Sequence, residues 1–358
     1  MSARRAVEVQ IGGRRLELSN LEKVFYPATG FTKGQVIDYY LRIAPALLPH
    51  LRDRPLTLKR YPEGAQGPHF YEKRCPAHRP AWLRTAGVWS GVQEEEIRFC
   101  VVDDLASLIW AVNLADLEMH TYLHRAPAVD RPTALVFDLD PGPPADVVQC
   151  CEVARVLKGL FDRLGLASFP KTSGSKGLQV YVPLNTPVGY AATKPFARAV
   201  AELLERERPD LVVSSMKKAL RAGKVLVDWS QNDAHKTTVC AWSLRAKERP
   251  TVSTPLRWEE VEAALAARDP AALAFDAAEA LRRFERDGDL FAPVLKLRQR
   301  LPAAGVGAAP GPAPERGRRA PGGRRSARSP GRKAGRKEER TPPPGGGPGT
   351  PEDGYLSS

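Results

Sequence analysis

No stretch of this sequence is apolar for long enough to cross a bilayer. Residues 1–6, MSARRA, also lack the apolar segment of a signal peptide. These absences argue against a membrane-spanning or secreted protein. We expect a soluble, cytoplasmic protein that has no membrane partner.

Cysteine is scarce, and the five residues are Cys75, Cys100, Cys150, Cys151 and Cys240. Their scattered spacing argues against a disulfide-stapled scaffold. Cys75 and His78 resemble half of a zinc site, but no second Cys/His pair follows at a matching distance. We therefore expect an ordinary loop cysteine and a solvated histidine at these two positions.

Acidic residues are outnumbered, with 41 Asp and Glu against 54 Lys and Arg, so the formal net charge is +13. Residues 301–358 hold 11 basic and five acidic residues, which leaves +7 on residues 1–300. The body of the chain is therefore basic in its own right. A charge of this sign predicts a polyanionic partner without naming one.

Large apolar residues become rare after residue 301, where Ala, Gly, Pro and Arg dominate. Such a segment cannot bury enough surface to offset its ordering entropy. We predict one folded domain over residues 1–300, where hydrophobic residues are ample for a core, and a disordered tail over 301–358. The tail either tethers nucleic acid or is simply solvated.

Periodicity predicts the secondary structure of the folded part. Alternating apolar residues on both sides of Gly12 and Gly13 predict an N-terminal hairpin. Thr32 and Gln35 form a capping-box pattern before an amphipathic helix with a kink or restart at Pro45. Further helices are predicted near 104–115, 145–164, 193–208 and 259–267, and strands near 56–61, 117–122, 135–140, 168–171, 177–184, 225–229 and 237–242. This order, with no internal repeat, is typical of an α+β or mixed α/β fold.

Three acidic residues interrupt strands that are otherwise apolar. Asp138 and Asp140 are two residues apart, so they point to the same face of their strand. Asp228 stands alone in a second apolar strand, where a buried carboxylate needs a partner. Like charges this close raise one another's pKa unless a cation holds them. Three strand carboxylates suit a pair of hard cations that serve a displacement at phosphorus.

Residues 172–177, TSGSKG, lie between two strand-like runs. Glycines let backbone N–H groups approach a phosphate, Ser173 and Ser175 add hydroxyls, and Lys176 adds a point charge. The spacing is not that of a Walker loop, and no helix follows. Taken alone, the segment is equally compatible with a plain hairpin turn.

Two further residues acquire meaning only in combination. His120 alternates onto the same strand face as Glu118, and Arg245 follows another short strand. Taken singly, a strand histidine is usually structural and an arginine is usually a solvated charge.

The segments FDLDPG (137–142), TSGSKG (172–177) and VDWSQN (227–232), in this order and spacing, closely resemble the three motifs of the polymerase domain of bacterial DNA ligase D. Residues 19–27, 58–62 and 218–224 extend the resemblance, which runs from about residue 16 to 297. That family belongs to the archaeo-eukaryotic primase superfamily and acts in non-homologous end joining. The resemblance implies a primase-polymerase fold, with a central mixed or antiparallel sheet flanked by helices.

The resemblance also implies roles for individual residues. The metal-binding carboxylates would be Asp138, Asp140 and Asp228. The nucleotide and its triphosphate would be held by Lys59, His120, Ser173, Lys176 and Arg245. The pocket for a downstream 5′-phosphate would comprise Asn20, Lys23 and Lys33, and the aromatic residues against the template strand would be Phe70 and Tyr71. Arg221 is a weaker candidate for contact with the terminus or the nucleotide.

Two positions depart from the family pattern. Gln179 stands where family members commonly have His, and Gln cannot titrate near neutral pH, so a proton-transfer role there is in doubt. Tyr71 replaces the usual Phe, which keeps the stacking face and adds a hydroxyl. Catalysis should survive both changes if metal ions do the activation.

The resemblance implies a template-directed polymerase that extends 3′-OH ends with nucleoside triphosphates, preferring ribonucleotides, with two Mn²⁺ or Mg²⁺ ions per site. Its expected partners are nucleoid DNA with gaps or broken ends, the Ku protein and a separate ligase, since no ligase or nuclease signature is seen. A primase of the same superfamily is one alternative, which de novo synthesis on unprimed template would reveal. A non-catalytic protein that bridges DNA ends is another, which repair by a triple-acid variant would favour.

Overall fold

Strands and helices alternate irregularly in the computed structural model, which describes residues 6–302 except residue 92. The strands are β1 Ala6–Ile11, β2 Arg14–Ser19, β3 Val24–Tyr26, β4 Phe31–Thr32, β5 Pro55–Arg60, β6 Phe70–Glu72, β7 Thr85–Ser90, β8 Glu95–Val101, β9 Asp116–Tyr122, β10 His124–Arg125, β11 Ala128–Pro132, β12 Ala134–Pro141, β13 Phe169–Thr172, β14 Leu178–Pro183, β15 Val212–Val213, β16 Val225–Asp228 and β17 Thr237–Val239. The α-helices are α1 Lys33–Leu51, α2 Leu105–Asn113, α3 Val147–Arg163, α4 Tyr190–Glu207, α5 Trp258–Ala267, α6 Ala277–Asp287 and α7 Ala292–Lys296.

Two larger sheets organise these strands. The five-stranded sheet has the order β13-β14-β12-β16-β15, and its pairs are antiparallel except for β15 with β16. The six-stranded sheet has the order β17-β9-β5-β8-β7, with β6 also paired to β5. The predicted α+β class with mixed and antiparallel strands is confirmed, although the strands form two larger sheets where one central sheet was expected.

Strand β12 separates two hydrophobic cores. Leu135, Phe137 and Leu139 belong to the core that includes the buried side of α3, whereas Val136 belongs to the core built around α1 and the six-stranded sheet. Because side chains alternate along a strand, Asp138 and Asp140 lie on the same face as Val136. The two carboxylates therefore face the half of the molecule that contains the six-stranded sheet.

Helix α1 begins as predicted. The Thr32 hydroxyl accepts from the Gln35 N–H, and the Gln35 side chain accepts from the Thr32 N–H, which completes the capping box. The predicted restart at Pro45 is wrong, because the helix continues through both Pro45 and Pro49 to Leu51. One whole face of α1 is buried, and this packing offsets the backbone hydrogen bonds that two prolines remove.

The N-terminal hairpin and the other predicted helices and strands are present, with ends shifted by a few residues. The sequence missed α6, α7, the paired strands β7 and β8, and most of the strands shorter than six residues. The predicted domain end near residue 300 remains a prediction, and the tail predicted over 301–358 lies, beyond residue 302, outside the described residues. Among the described residues no helix has the length and apolar character required to cross a membrane.

Cys75 and Cys100 form a disulfide, a pairing that the sequence did not predict. Cys75 does lie in a loop, and the nearby His78 is exposed as expected. The pairing depends on a Cα–Cα approach of 4.9 Å, and the Cys75 N–H donates to the carbonyl of Arg98, two residues before Cys100. Such proximity is a property of the fold and leaves no signal in cysteine spacing.

Candidate active site

The three aspartates predicted to bind metal are brought together by neighbouring strands. In the antiparallel pair β12 and β16, Asp138 lies directly opposite Asp228, and Asp140 follows two residues later on the same face. Asp228 is buried, and the other two are mostly enclosed.

Burial and mutual repulsion perturb this group of acids. The pKa of Asp138 is raised well above its usual value, first by burial and then by the charges of Asp140 and Asp228. The pKa of Asp140 is raised by burial and by Asp228, while Arg221 and Arg245 act in the opposite direction. Both shifts mean that a cation placed between these carboxylates would be stabilised.

The side chain of Asp228 is already engaged. Its Oδ1 accepts from the Ser230 backbone N–H at 2.8 Å and hydroxyl at 2.6 Å, and its Oδ2 accepts from Gln231 Nε2 at 3.0 Å. Over residues 6–302, no three His, Cys, Asp or Glu side chains are arranged as a ready metal site. The three acids are therefore neighbours, but their carboxylates do not surround a common point.

A row of polar side chains crosses the five-stranded sheet at this level. Asp138 lies opposite Asp228 on one side and Gln179 on the other, and Gln179 in turn lies opposite Lys171 on β13. The Gln179 side chain hydrogen-bonds to Asp138 and lowers its pKa, while the Gln179 Oε1 is buried and has no partner among the described residues. A neutral hydrogen-bonding group therefore stands where the resemblance implies a histidine.

Lys171 is a buried cation that the sequence analysis missed. Its Nζ donates to the Ser253 hydroxyl at 2.6 Å. Burial lowers its pKa to about 7, and Asp138 opposes that shift. The only sequence signal was a charged residue at the end of the predicted strand 168–171.

Residues 173–177 form the turn between β13 and β14, beside the aspartates. The Ser173 hydroxyl accepts from the backbone N–H groups of Ser175 and Gly177, at 3.2 and 3.1 Å. A Cβ on Gly177 would stand 1.9 Å from the Leu139 carbonyl oxygen, so glycine permits the turn to press against β12 between its two acids. The turn leaves Ser175 and Lys176 exposed.

Three of the predicted nucleotide-binding residues converge on one carboxylate that the sequence analysis gave no role. On the six-stranded sheet, Glu118 Oε2 lies 3.3 Å from Lys59 Nζ and 3.0 Å from His120 Nε2. Arg245 Nε lies 3.1 Å from the same oxygen. Alternation had put Glu118 beside His120, but Lys59 and Arg245 come from distant parts of the chain.

Arg245 joins this cluster to the turn and the aspartates. Its Nη1 donates to the Ser173 carbonyl, and its charge lowers the pKa of Asp140. Lys247, another residue missed from the sequence, has its pKa lowered by burial and then by the charges of Arg245, Lys59 and Lys176. Four cationic side chains therefore lie near one another beside the carboxylate strand.

Arg221 lies in a segment that is hydrogen-bonded to Gly142, two residues after Asp140. The Gly142 N–H donates to the Lys224 carbonyl, and the Gly223 N–H donates to the Gly142 carbonyl. A Cβ on Gly142 would stand 1.9 Å from the Arg221 carbonyl oxygen. The arginine proposed as a weaker candidate is thus close enough for its charge to lower the pKa of Asp140.

The residues predicted to bind a 5′-phosphate gather at the start of α1. Lys33 is 4% exposed, and its Nζ donates to the Ser19 carbonyl at 2.7 Å and to Asn113 Oδ1 at 2.8 Å. Lys23 Nζ donates to the Pro62 carbonyl, and the Lys23 N–H donates to the carbonyl of exposed Asn20. Burial and the charge of Lys23 lower the pKa of Lys33 to about 8. The two lysines therefore repel each other, although Lys23 Nζ is also paired with Glu63 at 2.9 Å.

The two predicted stacking residues lie on the edge strand β6 and are open to solvent. Phe70 is 45% exposed and Tyr71 is 44% exposed. Tyr71 lies opposite Lys59, whose Nζ is 5.4 Å from the centre of the Tyr71 ring, and the ring centres of Tyr71 and His120 are 6.1 Å apart. The aromatic surface therefore adjoins the cationic cluster.

Comparisons with known proteins identify the family of the chain. The model of a family described as LigD, primase-polymerase domain, matches residues 32–291. The multifunctional non-homologous end joining protein LigD of Mycolicibacterium smegmatis is 42% identical over 284 residues, which cover 78% of this chain. The bifunctional LigD of Bacillus subtilis is 32% identical over 252 residues, which cover 70% of this chain.

A solved structure is similar in three dimensions. The polymerase domain of Mycobacterium tuberculosis ligase D in complex with DNA has a TM-score of 0.73 and 42% identity, and the match covers 78% of this chain and 98% of that one. The match to the two curated relatives spans only 36% and 40% of their own lengths.

Proposed function

The chain belongs to the LigD primase-polymerase family, a family of nucleotidyltransferases, and we propose that it is a template-directed polymerase acting in non-homologous end joining. It adds nucleotides, preferably ribonucleotides, to 3′-OH ends at gaps and double-strand breaks. The observation that carries the proposal is the placement of Asp138 and Asp140, with raised pKa values, next to the turn 173–177 and the buried cations Lys59 and Arg245.

The acids suit Mn²⁺ or Mg²⁺, which the family implies as two ions per site. Their oxygen donors are those that hard cations prefer, and two buried amide oxygens without partners among residues 6–302, Gln179 Oε1 and Gln231 Oε1, adjoin Asp138 and Asp228. Asp138, Asp140 and Asp228 would hold the ions, after Asp228 exchanges some of its present hydrogen bonds. Bound ions would supply charge neutralisation at the reacting phosphate and activate the attacking hydroxyl.

The cationic side chains would bind and orient the triphosphate. Lys59 and Arg245 present fixed donors from a buried cluster in which His120 is held beside them, and low solvent access strengthens each interaction with phosphate. Ser173 and Lys176 of the turn would add a hydroxyl and a mobile ammonium. Because these groups are held before the nucleotide arrives, little reorganisation is needed when charge develops on the leaving group.

The rest of the surface supports recognition of a DNA break. Lys23 and Lys33, with Asn20, form a cationic pocket that suits a 5′-phosphate on the far side of a gap. Phe70 and Tyr71 offer exposed rings on which an unpaired template base can stack. We propose gapped or broken DNA as the substrate, with Ku and a ligase as partners in the pathway.

The test is primer extension on gapped DNA, with Mn²⁺ or Mg²⁺ and with ribo- or deoxyribonucleotides. The double variant Asp138→Ala, Asp140→Ala should lose extension entirely, while the surface variant Asp162→Ala on α3 should match the wild type. Extension by the purified double variant would overturn the assignment of the site. Efficient synthesis by the wild type on unprimed template would instead make the protein a primase.

A further inference from the structure

Glu118 is a carboxylate with no remaining capacity for an outside ligand. It is 1% exposed. Its Oε2 faces Lys59, His120 and Arg245 at 3.0 to 3.3 Å. Its Oε1 accepts from the Tyr61 hydroxyl at 3.1 Å and from the Ala246 N–H at 3.0 Å. Five groups of the protein thus surround one side chain, so Glu118 is not available to a metal ion or a nucleotide.

The charges of this cluster balance only in part. Burial would raise the pKa of Glu118, but Arg245, His120 and Lys59 outweigh it and hold that pKa far below its usual value. Burial lowers the pKa of His120, so the imidazole is mostly neutral at neutral pH. Two buried cations therefore share one buried anion, and without it neither Lys59 nor Arg245 would have a carboxylate of the described residues within ion-pair distance.

We propose that Glu118 is a positioning residue, which aims Lys59, His120 and Arg245 at the triphosphate and serves as their counter-charge while the site holds no nucleotide. The inference rests on the proposed function of this pocket. Lys59 and Arg245 retain donors that Glu118 does not use, since an ammonium has three N–H groups and a guanidinium five, whereas neutral His120 gives its single N–H to Glu118. A triphosphate can therefore bind the cluster without displacing Glu118.

The competing explanation is that Glu118 is an ordinary buried ion that supports the fold. Both explanations predict that its removal destabilises the protein, so stability alone cannot separate them. The two explanations differ in how far an added polyanion restores the stability of the variant. If the missing charge was the counter-charge of a phosphate site, added polyanion replaces it. If the charge was only structural, added polyanion does not.

The experiment measures Tm with and without inorganic tripolyphosphate for the wild type and for Glu118→Gln. Glutamine keeps an oxygen toward the cations but removes the charge. We expect a lower Tm for the variant without tripolyphosphate, and an increase on adding it that is at least twice the wild-type increase. In primer extension, kcat should fall at least tenfold while the nucleotide KM does not rise, because binding retains its cations but loses their alignment.

The matched control is Asp289→Asn, which alters another carboxylate that is mostly enclosed and pairs with a histidine. Asp289 accepts from or pairs with His50, Trp242 and the Phe291 N–H at 2.9 Å, away from the phosphate cluster. This variant should lose Tm, and its increase with tripolyphosphate should equal that of the wild type. An equal increase in Glu118→Gln and the wild type would overturn the inference and leave the proposed function standing.

Two further outcomes are decisive. If tripolyphosphate fails to raise the wild-type Tm and the wild type fails to extend primers, the proposed function fails together with the inference. If Glu118→Gln does not fold, the double variant Glu118→Gln, Lys59→Met tests the same charge balance. Removing one cation should restore folding or raise Tm above that of the single variant, whereas an additive loss would refute the role as counter-charge.

Discussion

The proposed recognition of a 5′-phosphate by Lys33 should depend on pH, because the Lys33 amino group is buried. Its pKa is lowered to about 8 by burial and by the charge of Lys23. An approaching phosphate dianion favours the charged ammonium, so binding above pH 8 requires the uptake of a proton. The phosphate itself is fully ionised above neutrality, so any change between pH 7 and 9 reports on the pocket.

The size of the effect follows from the lowered pKa. With a pKa near 8, about nine-tenths of Lys33 is charged at pH 7 and about one-tenth at pH 9, so phosphate affinity should fall roughly tenfold over that range. Lys33→Met removes a charge-assisted contact of about 1.5–3 kcal/mol, which corresponds to a roughly 10- to 100-fold loss of preference. What preference remains in that variant should no longer vary with pH.

The assay is the fluorescence anisotropy of gapped DNA with and without the downstream 5′-phosphate, at fixed ionic strength. The ratio of the two affinities isolates the pocket from general DNA binding. Lys158→Met, at a lysine that pairs with Asp162 on the surface of α3, should behave like the wild type. The reasoning is refuted if the wild-type ratio is the same at pH 7 and 9, or if Lys33→Met keeps the full ratio.

Two other substitutions test the remaining surfaces. Tyr71→Ala should weaken primer-template binding by about 5- to 100-fold, as expected for one lost stacking platform, whereas Tyr71→Phe should stay within about twofold; equal losses would show that the hydroxyl matters more than the ring. In Gly177→Ala the new Cβ would stand 1.9 Å from the Leu139 carbonyl oxygen, so the turn must move. Steady-state extension should therefore fall by about 100-fold, with a modest loss of Tm. Unchanged extension by Gly177→Ala would mean that the position of the turn does not control the site.

The sequence predicted that Asp138 and Asp140 lie together because their signal was local. Asp138 and Asp140 share a strand, so alternation alone put them on one face. Asp228 was added because a lone acid in an apolar strand needs a partner, but its pairing opposite Asp138 depends on a contact between residues 90 positions apart. The motifs had also predicted the family, and the comparisons confirm it.

The parts that the sequence missed are non-local. Glu118 was visible beside His120, yet its importance comes from Lys59 and Arg245, which approach from two other segments. The bond between Cys75 and Cys100 likewise depends on how a loop meets β8. Helix α6 was missed because its buried side has few large apolar residues, so apolar periodicity did not reveal it. Its charged polar face alone was not a sufficient signal.

The position of Gln179 limits how the glutamine at this site, in place of the histidine that the resemblance implies, can affect proton transfer. It lies opposite Asp138 and between that acid and Lys171, so its side chain is enclosed by the row that crosses the sheet. A histidine there could exchange a proton near neutral pH, whereas glutamine donates the same hydrogen bond to Asp138 at every pH in the working range. The carboxylate therefore keeps one fixed neighbour, and any proton released during transfer must leave by another route. Proton transfer through position 179 is thus dispensable if this chain is active.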